Sequence, residues 1–362
     1  MAPEASKSLH TAALAAPAAF RQCSRVQDSR NSKRSILIVA ALCVALLAWQ
    51  ALGRAKLTVY CAHDAVFAEA ILKDFERQTG IPVAVKFDTE ATKSLGLTEQ
   101  ILREGGRPQC DVFWNNELFG TLDLASRGLL EPHKGAGWQR IPARFSDPGG
   151  RWTGFAARLR VIIERSGAPA WNDRLLADGD LRRFAMAKPL YGTTLTHYAV
   201  LWHEWGPVRL QQWHADARRR GLREVPGNAQ TREAVASGMC DAAFTDTDDF
   251  FEAKDDGKPV TMRPVQLESG QTICIPNTVA IIRGAPHLEN ARKLADFLLS
   301  AETELALARS KSRQIPLGPV DAAQLPAEVR DLMPHAARGF PLTDLLTARN
   351  ECLAWLKGEY LK

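Results

Sequence analysis

Residues 241–252 read DAAFTDTDDFFE, a short apolar run from Ala242 to Phe244 that tips into Asp246, Asp248 and Asp249 within four residues. Carboxylates packed this closely suit a hard cation, and they equally suit hydrogen bonds from sugar hydroxyls or ammonium groups. A plainer account exists for the same stretch. Thr247 can cap a helix, Asp248 and Asp249 would favour the positive end of its dipole, and Asp249 and Glu252 have capping-box spacing. Other polar groups at apolar-run ends are candidates to join them: His63 as a ligand or proton-bearing group, Asn116 with Glu117, and Arg158. Gly192, Thr193 and Thr194, in YGTT, run from an apolar stretch into a helical pattern. Free N–H groups and small residues there suit an anion, although threonine is also an ordinary cap. Asn228, in PGNAQT, carries the same double reading. His197 and His203 invite a metal, but residues six apart on a helix sit about 240° apart, and no HExxH pattern is present.

These residues need elements to position them, and the chain alternates as such elements do. KLTVYCAH reads as a strand, and DAVFAEAILKDFERQTG as a helix burying Val66, Ala70, Ile71 and Phe75, with Gly80 closing it. IPVAVKFD, SLGLTEQILREGG, CDVFWNN and ELFGTLDLASRG continue strand, helix, strand, helix. The same grammar resumes from MAKPLYGTT through AQTREAVASG to MCDAAFTD. This is the pattern of parallel sheets covered on both faces. Two long apolar segments, 152–164 and 271–284, bracket the second set and read as strands joining two doubly wound α/β lobes. Lobe 1 is expected to comprise 56–157 with 278–362, and lobe 2 to comprise 158–277. Sheets of this kind bind ligands beyond the carboxyl ends of their strands, which is where the candidate residues lie. Arg158 and Arg160 alternate with apolar neighbours on the first joining strand and can both reach the space between lobes.

The formal net charge is +5, yet residues 1–56 hold eight Lys/Arg against two Asp/Glu, so the remaining 306 residues sum to −1. No basic footprint for nucleic acid is present. Residues 1–34 form a basic leader. Ile36–Leu52, seventeen residues without charge, lies within a 35–53 segment read as an uncleaved membrane anchor or a cleaved signal. The positive residues ahead of it keep the N-terminus in the cytoplasm and export the rest to the periplasm, held at the inner membrane. Cys61, Cys110, Cys240, Cys274 and Cys352 follow it. Five cannot all pair internally, none has CxxC spacing, and small buried residues are expected. No GxSxG, P-loop or GxGxxG after a strand appears, so nothing marks an enzyme.

The segments LTVYCAHDAVFAEAILKDFERQTGIPVAVKF, CDVFWNNE, GFAARLRVII, GMCDAAFTDTDD and NTVAIIRGAPHLENARKLADFLLS together resemble bacterial periplasmic solute-binding proteins of ABC transporters. The similarity is greatest to the ferric-iron-binding, two-lobed type II branch, over residues 57–320. The resemblance implies a receptor whose lobes close on a hinge and pass the ligand to an ABC permease. It implies ferric iron or another hard cation, with a synergistic anion, as the transported ligand rather than a cofactor. It would make His63 a metal ligand, put an acidic ligand near Asn116 and Glu117, seat the anion at Gly192, Thr193, Thr194 and Asn228, and place Arg158 on the first hinge strand. The branch carries a tyrosine pair where this chain has Asp248 and Asp249, with Asp246 just before. These acids become the expected metal ligands with His63. Two alternatives stand: a phosphorylated or hydroxylated organic solute, and a membrane-anchored ligand-sensing module. An exported enzyme using His63 with an aspartate is a third.

Overall fold

The computed structural model describes residues 56–88 and 95–361, together with Ile38 and Val39. The leader and nearly all of the Ile36–Leu52 run lie outside the described residues, and so does the expected anchor. Among the described residues no helix is long and apolar enough to cross a membrane.

The first half opens β1 (Leu57–Cys61), α1 (Ala65–Thr79), β2 (Val83–Phe87), α2 (Leu95–Glu104), β3 (Val112–Asn115) and α3 (Phe119–Ser126). β1 lies between β2 and β3 and runs parallel to both. It is buried almost throughout, as the centre of a sheet covered on both faces must be. Helix α1 ends at Gly80, whose φ of 70° is the left-handed conformation glycine supplies at a helix terminus. Its buried ridge is Phe67, Ile71 and Phe75, with Ala68 and Leu72 alongside. Val66, expected on that face, is 68% exposed. Ala70 is exposed as well. Both sit one residue, about 100°, round the helix from the ridge that the sheet selected. After β4 (Leu130–Glu131) and α4 (Ala136–Arg140) the chain enters β5 (Thr153–Arg165).

The second half continues with α5 (Asp173–Asp178), β6 (Phe184–Ala187), α6 (Gly192–Trp205), α7 (Pro207–Arg219), β7 (Arg223–Val225), α8 (Asn228–Ala236), β8 (Ala242–Asp246), α9 (Thr247–Asp255), β9 (Val260–Pro264) and β10 (Cys274–Ile282). The strand order is β2-β1-β3-β10-β5-β8-β6-β7. The two long apolar segments of the sequence are therefore β5 and β10, adjacent and antiparallel. β5 changes partners along its length. Thr153–Leu159 pairs with β10, while Arg160–Arg165 pairs with β8 and β9. Both joining strands are irregular at one level: Ala156 has φ 43°, and the β5–β10 register slips between Ile275 and Asn277. Asn277 donates its amide to the carbonyl of Ala156 across the slip. Glu304, fully buried, accepts the Ala156 N–H at 2.8 Å and Arg140 at 2.7 Å. Two strands that bend together, braced from one side, are the fold's candidate hinge.

The tail contains α10 (Leu288–Leu298), α11 (Ala301–Arg309), α12 (Ala327–Ala337) and α13 (Leu346–Tyr360). The first two are the expected helix pair, and α10 packs on β10 and β3. α13, expected with lobe 1 as part of 278–362, packs chiefly on α6. Trp202 on α6 stacks 5.6 Å from Trp355 and donates Nε1–H to Glu351 at 3.1 Å. α13 also reaches α3, within one apolar cluster that includes Leu122, Leu353 and Leu356. An apolar helix face carries no address for the lobe it will cover.

A buried chain anchors that helix. Tyr198 hydrogen-bonds His214 Nδ1 at 2.8 Å, His214 Nε2 lies 3.2 Å from the Tyr360 hydroxyl, and Tyr360 donates to Glu224. Burial, aided by Arg218, pushes the His214 pKa down to about 4. The unfolded chain, with a histidine near its ordinary 6.5, therefore binds more protons than the fold between those values. His214 by itself should lower stability by about 3 kcal/mol as pH drops from 6.5 towards 4. Urea midpoints at pH 7 and pH 4.5 check this, and His214→Gln should shrink the difference by most of that share.

Candidate ligand-binding cleft

The strand ends deliver polar residues to one cavity of about 280 Å³. β8 ends in Asp246, where α9 begins. The Asp246 carboxylate is wholly engaged within the protein. Oδ1 accepts from Arg160 at 2.7 Å, and Oδ2 accepts from Thr193 at 2.5 Å and Asn228 at 2.8 Å. Arg160 is fully buried and also contacts the Thr193 and Thr194 hydroxyls, at 3.3 and 3.5 Å. This network locks β5, β8 and the starts of α6 and α8 together. Asp249 accepts from Thr245 at 2.7 Å and, in capping-box fashion, from the Asp246 N–H. Asp248 pairs with Arg158 at 3.5 Å. Ligand-capable oxygens of Asp246, Asp248 and Asp249 all lie within 4.8 Å of one another. The helix-start account and the cluster account are thus both structurally present.

Facing these acids are the N-termini of α6 and α8. Neither Tyr191 nor Gly227, their cap positions, supplies a side-chain hydrogen bond. The leading N–H groups of a helix have no intrahelical acceptor, and both helix starts line the cavity. Gly192 has φ 52°, and a Cβ there would meet nothing within 4 Å. The backbone conformation, not crowding, demands glycine. His197, one turn deeper on α6, is held neutral, its pKa pushed well down by burial and then by Arg160.

From the first half come Asn116, just past β3, and Arg158, from the point where β5 changes partners. Burial opposes the Arg158 charge, but Asp248 first, then Asp246, Asp64 and Asp249, more than offset it and raise its pKa. Asn116 is 2% exposed and its Oδ1 has no hydrogen-bond partner.

Nine of the eleven sequence candidates line the cavity: Asn116, Arg158, Gly192, Thr193, Thr194, Asn228, Asp246, Asp248 and Asp249. Two do not. Glu117 accepts the N–H of Gly120 at 2.8 Å, and that of Phe119, at the start of α3, so its carboxylate serves that helix. His63 is buried behind the wall against Phe67 and Trp114, and contacts Arg158 and Gln314. Sequence reasoning missed Asp64, Lys188, Arg232 and Glu252, which also line the cavity. Asp64 lies three residues past β1 and Lys188 directly follows β6, so the strand-end rule could have found them. The five cysteines among the described residues are free and buried.

A family model described as bacterial extracellular solute-binding protein matches residues 57–310. The chain belongs to that family. Among curated relatives, the major ferric iron-binding protein of Neisseria meningitidis is 24% identical over 308 residues, covering 80% of this chain and 88% of its own. Two solved structures share the fold. Iron-bound HitA from Pseudomonas aeruginosa has a TM-score of 0.72 at 22% identity, covering 84% of this chain and 98% of its own. AfuA from Actinobacillus pleuropneumoniae, with fructose-6-phosphate bound, has 0.69 at 17% identity, with the same coverage. These neighbours are two-lobed periplasmic binding proteins, so the α/β two-lobed architecture expected from the sequence is that of the family. Within this family the chain is a solute receptor.

Proposed function

We propose that the protein is the periplasmic receptor of an ABC importer, that its two lobes close at β5 and β10, and that it delivers its solute to an inner-membrane permease. The observation that carries the ligand class is the facing of the Asp246–Asp248–Asp249 oxygens and the uncapped starts of α6 and α8 across one cavity. Carboxylates favour a cationic centre, and helix N-termini favour an anion. A hard cation taken with an accompanying anion satisfies both, and ferric iron, named for the Neisseria relative, is the leading case. Asp248 and Asp249 are its proposed ligands. Binding at the periplasmic face is proposed with the 35–53 segment as anchor. The sensing alternative also depends on that segment.

A second reading, a phosphorylated or hydroxylated organic solute, draws on one observation. The guanidinium of Arg158 already stands as a cation beside Asp248. AfuA, which has the same fold, was solved with a sugar phosphate.

Calorimetry separates the two. The first predicts heat with ferric citrate or ferric iron plus phosphate, and its loss when the anion is withheld. Heat with phosphate esters in excess chelator, and none with any ferric form, selects the second.

A further inference from the structure

We propose that Arg158 is a specificity-determining residue: its guanidinium stands as a resident cation between His63 and Asp248 and keeps the histidine out of the ligand shell, so that a bound cation meets oxygen ligands only. This deepens the receptor reading above and rests on it.

Both ring nitrogens of His63 are engaged within the protein. Nδ1 lies 3.3 Å from an Arg158 N–H, which makes it the acceptor. Nε2 then carries the proton and donates to the Gln314 amide oxygen at 3.0 Å, with that amide turned so that its oxygen faces the ring. That same oxygen accepts from Arg158 at 3.2 Å. One tautomer answers both ring contacts, and the Nδ1 lone pair points at a guanidinium. The same Arg158 nitrogen, Nη2, shares its two hydrogens with Asn277 Oδ1 at 3.1 Å, on the adjacent joining strand, while Nη1 faces Asp248. The side chain is 2% exposed and cannot swing away without abandoning this set.

The groups left towards the cavity that could ligate a cation are oxygens. Asp248 and Asp249 present carboxylates, and Asn116 Oδ1, buried and without a partner, can accept from a donor or bind a cation of the ligand. Such donor sets suit hard cations and O–H or N–H donors. Imidazole is what recruits borderline ions such as Co²⁺, Ni²⁺ or Zn²⁺. Arg158 therefore denies the site to those ions by masking the nitrogen they would recruit.

The test uses Co²⁺ as probe on the full chain, read by its visible d–d absorption and by calorimetry. The native protein should show no Co²⁺ site at the cleft. Arg158→Gln should gain one, with affinity roughly 10- to 100-fold above the native level. The double variant Arg158→Gln, His63→Ala should lose it again. A native protein that binds Co²⁺ as well as Arg158→Gln, or a folded Arg158→Gln that gains nothing, overturns the proposal. Should Arg158→Gln fail to fold, His63→Ala in the native background decides. Affinity for whichever ferric or phosphate-ester probe binds should stay within roughly threefold, whereas a loss beyond roughly tenfold at unchanged melting temperature makes His63 a ligand. If no such probe binds the native chain, the ligand reading fails while the Co²⁺ comparison still reports on Arg158.

Discussion

Replacing Asp248 and Asp249 together by asparagine is expected to reduce solute affinity by roughly 100- to 10,000-fold, the worth of two charge-assisted contacts at about 1.5–3 kcal/mol each. The single changes should behave differently. Asp249→Asn keeps an oxygen to accept from Thr245 and the Asp246 N–H, so its loss should appear in binding and hardly in stability. Asp248→Asn also removes the carboxylate beside the buried Arg158 charge, so its melting temperature should fall as well. Calorimetry with the solute that binds the native chain, beside thermal unfolding of each variant, separates the two. An unchanged affinity in the double variant would leave these acids as a helix start and nothing more.

The second large effect is on the fold. Arg160→Met should cost about 3–5 kcal/mol, because it leaves the Asp246 carboxylate buried without its cation. Arg160 is fully buried and Asp246 is 2% exposed, so solvent cannot take over. Adding Asp246→Asn should recover part of that loss while binding stays impaired, since the starts of α6 and α8 are still held less firmly. Urea unfolding of the single and double variants measures both. A change below about 1 kcal/mol in Arg160→Met would mean that Thr193 and Asn228 suffice to hold the carboxylate.

Much of the framework is legible in the residue pattern, for a local reason. Alternation of apolar strands with helical periodicity is a property of ten to twenty neighbouring residues, and it located β1 to β3, β5, β6, β8 and β10. The rule that ligands lie beyond strand carboxyl ends then brought nine of eleven candidates to the cavity. The helices α4, α5, α7, α12 and α13 and the strands β4 and β9 escaped. α7 and β9 lie in segments to which the residue pattern assigned no element, and α12 and α13 belong to a tail whose apolar faces do not say what they cover. On α1, Ile71 and Phe75 were placed on the buried face but so were Val66 and Ala70, because Val66 and Phe67 are both apolar and only the sheet decides between them.

The sequence by itself determined the alternation, the two long joining strands, and the collection of acids, small helix-start residues and arginines that make a charged cleft. Only the tertiary structure decided which of those groups face the solute. Asp246 and Asp248 are two residues apart and both line the cavity, yet the Asp246 carboxylate is held by Arg160, Thr193 and Asn228 while Asp248 pairs with Arg158. Glu117 was drawn into capping α3. His63 was claimed by an arginine 95 residues away and a glutamine 251 residues away. The physical reason is the same in each case. A buried polar atom must find a partner, and that partner is set by which distant strands the fold brings alongside, a fact no window of sequence contains.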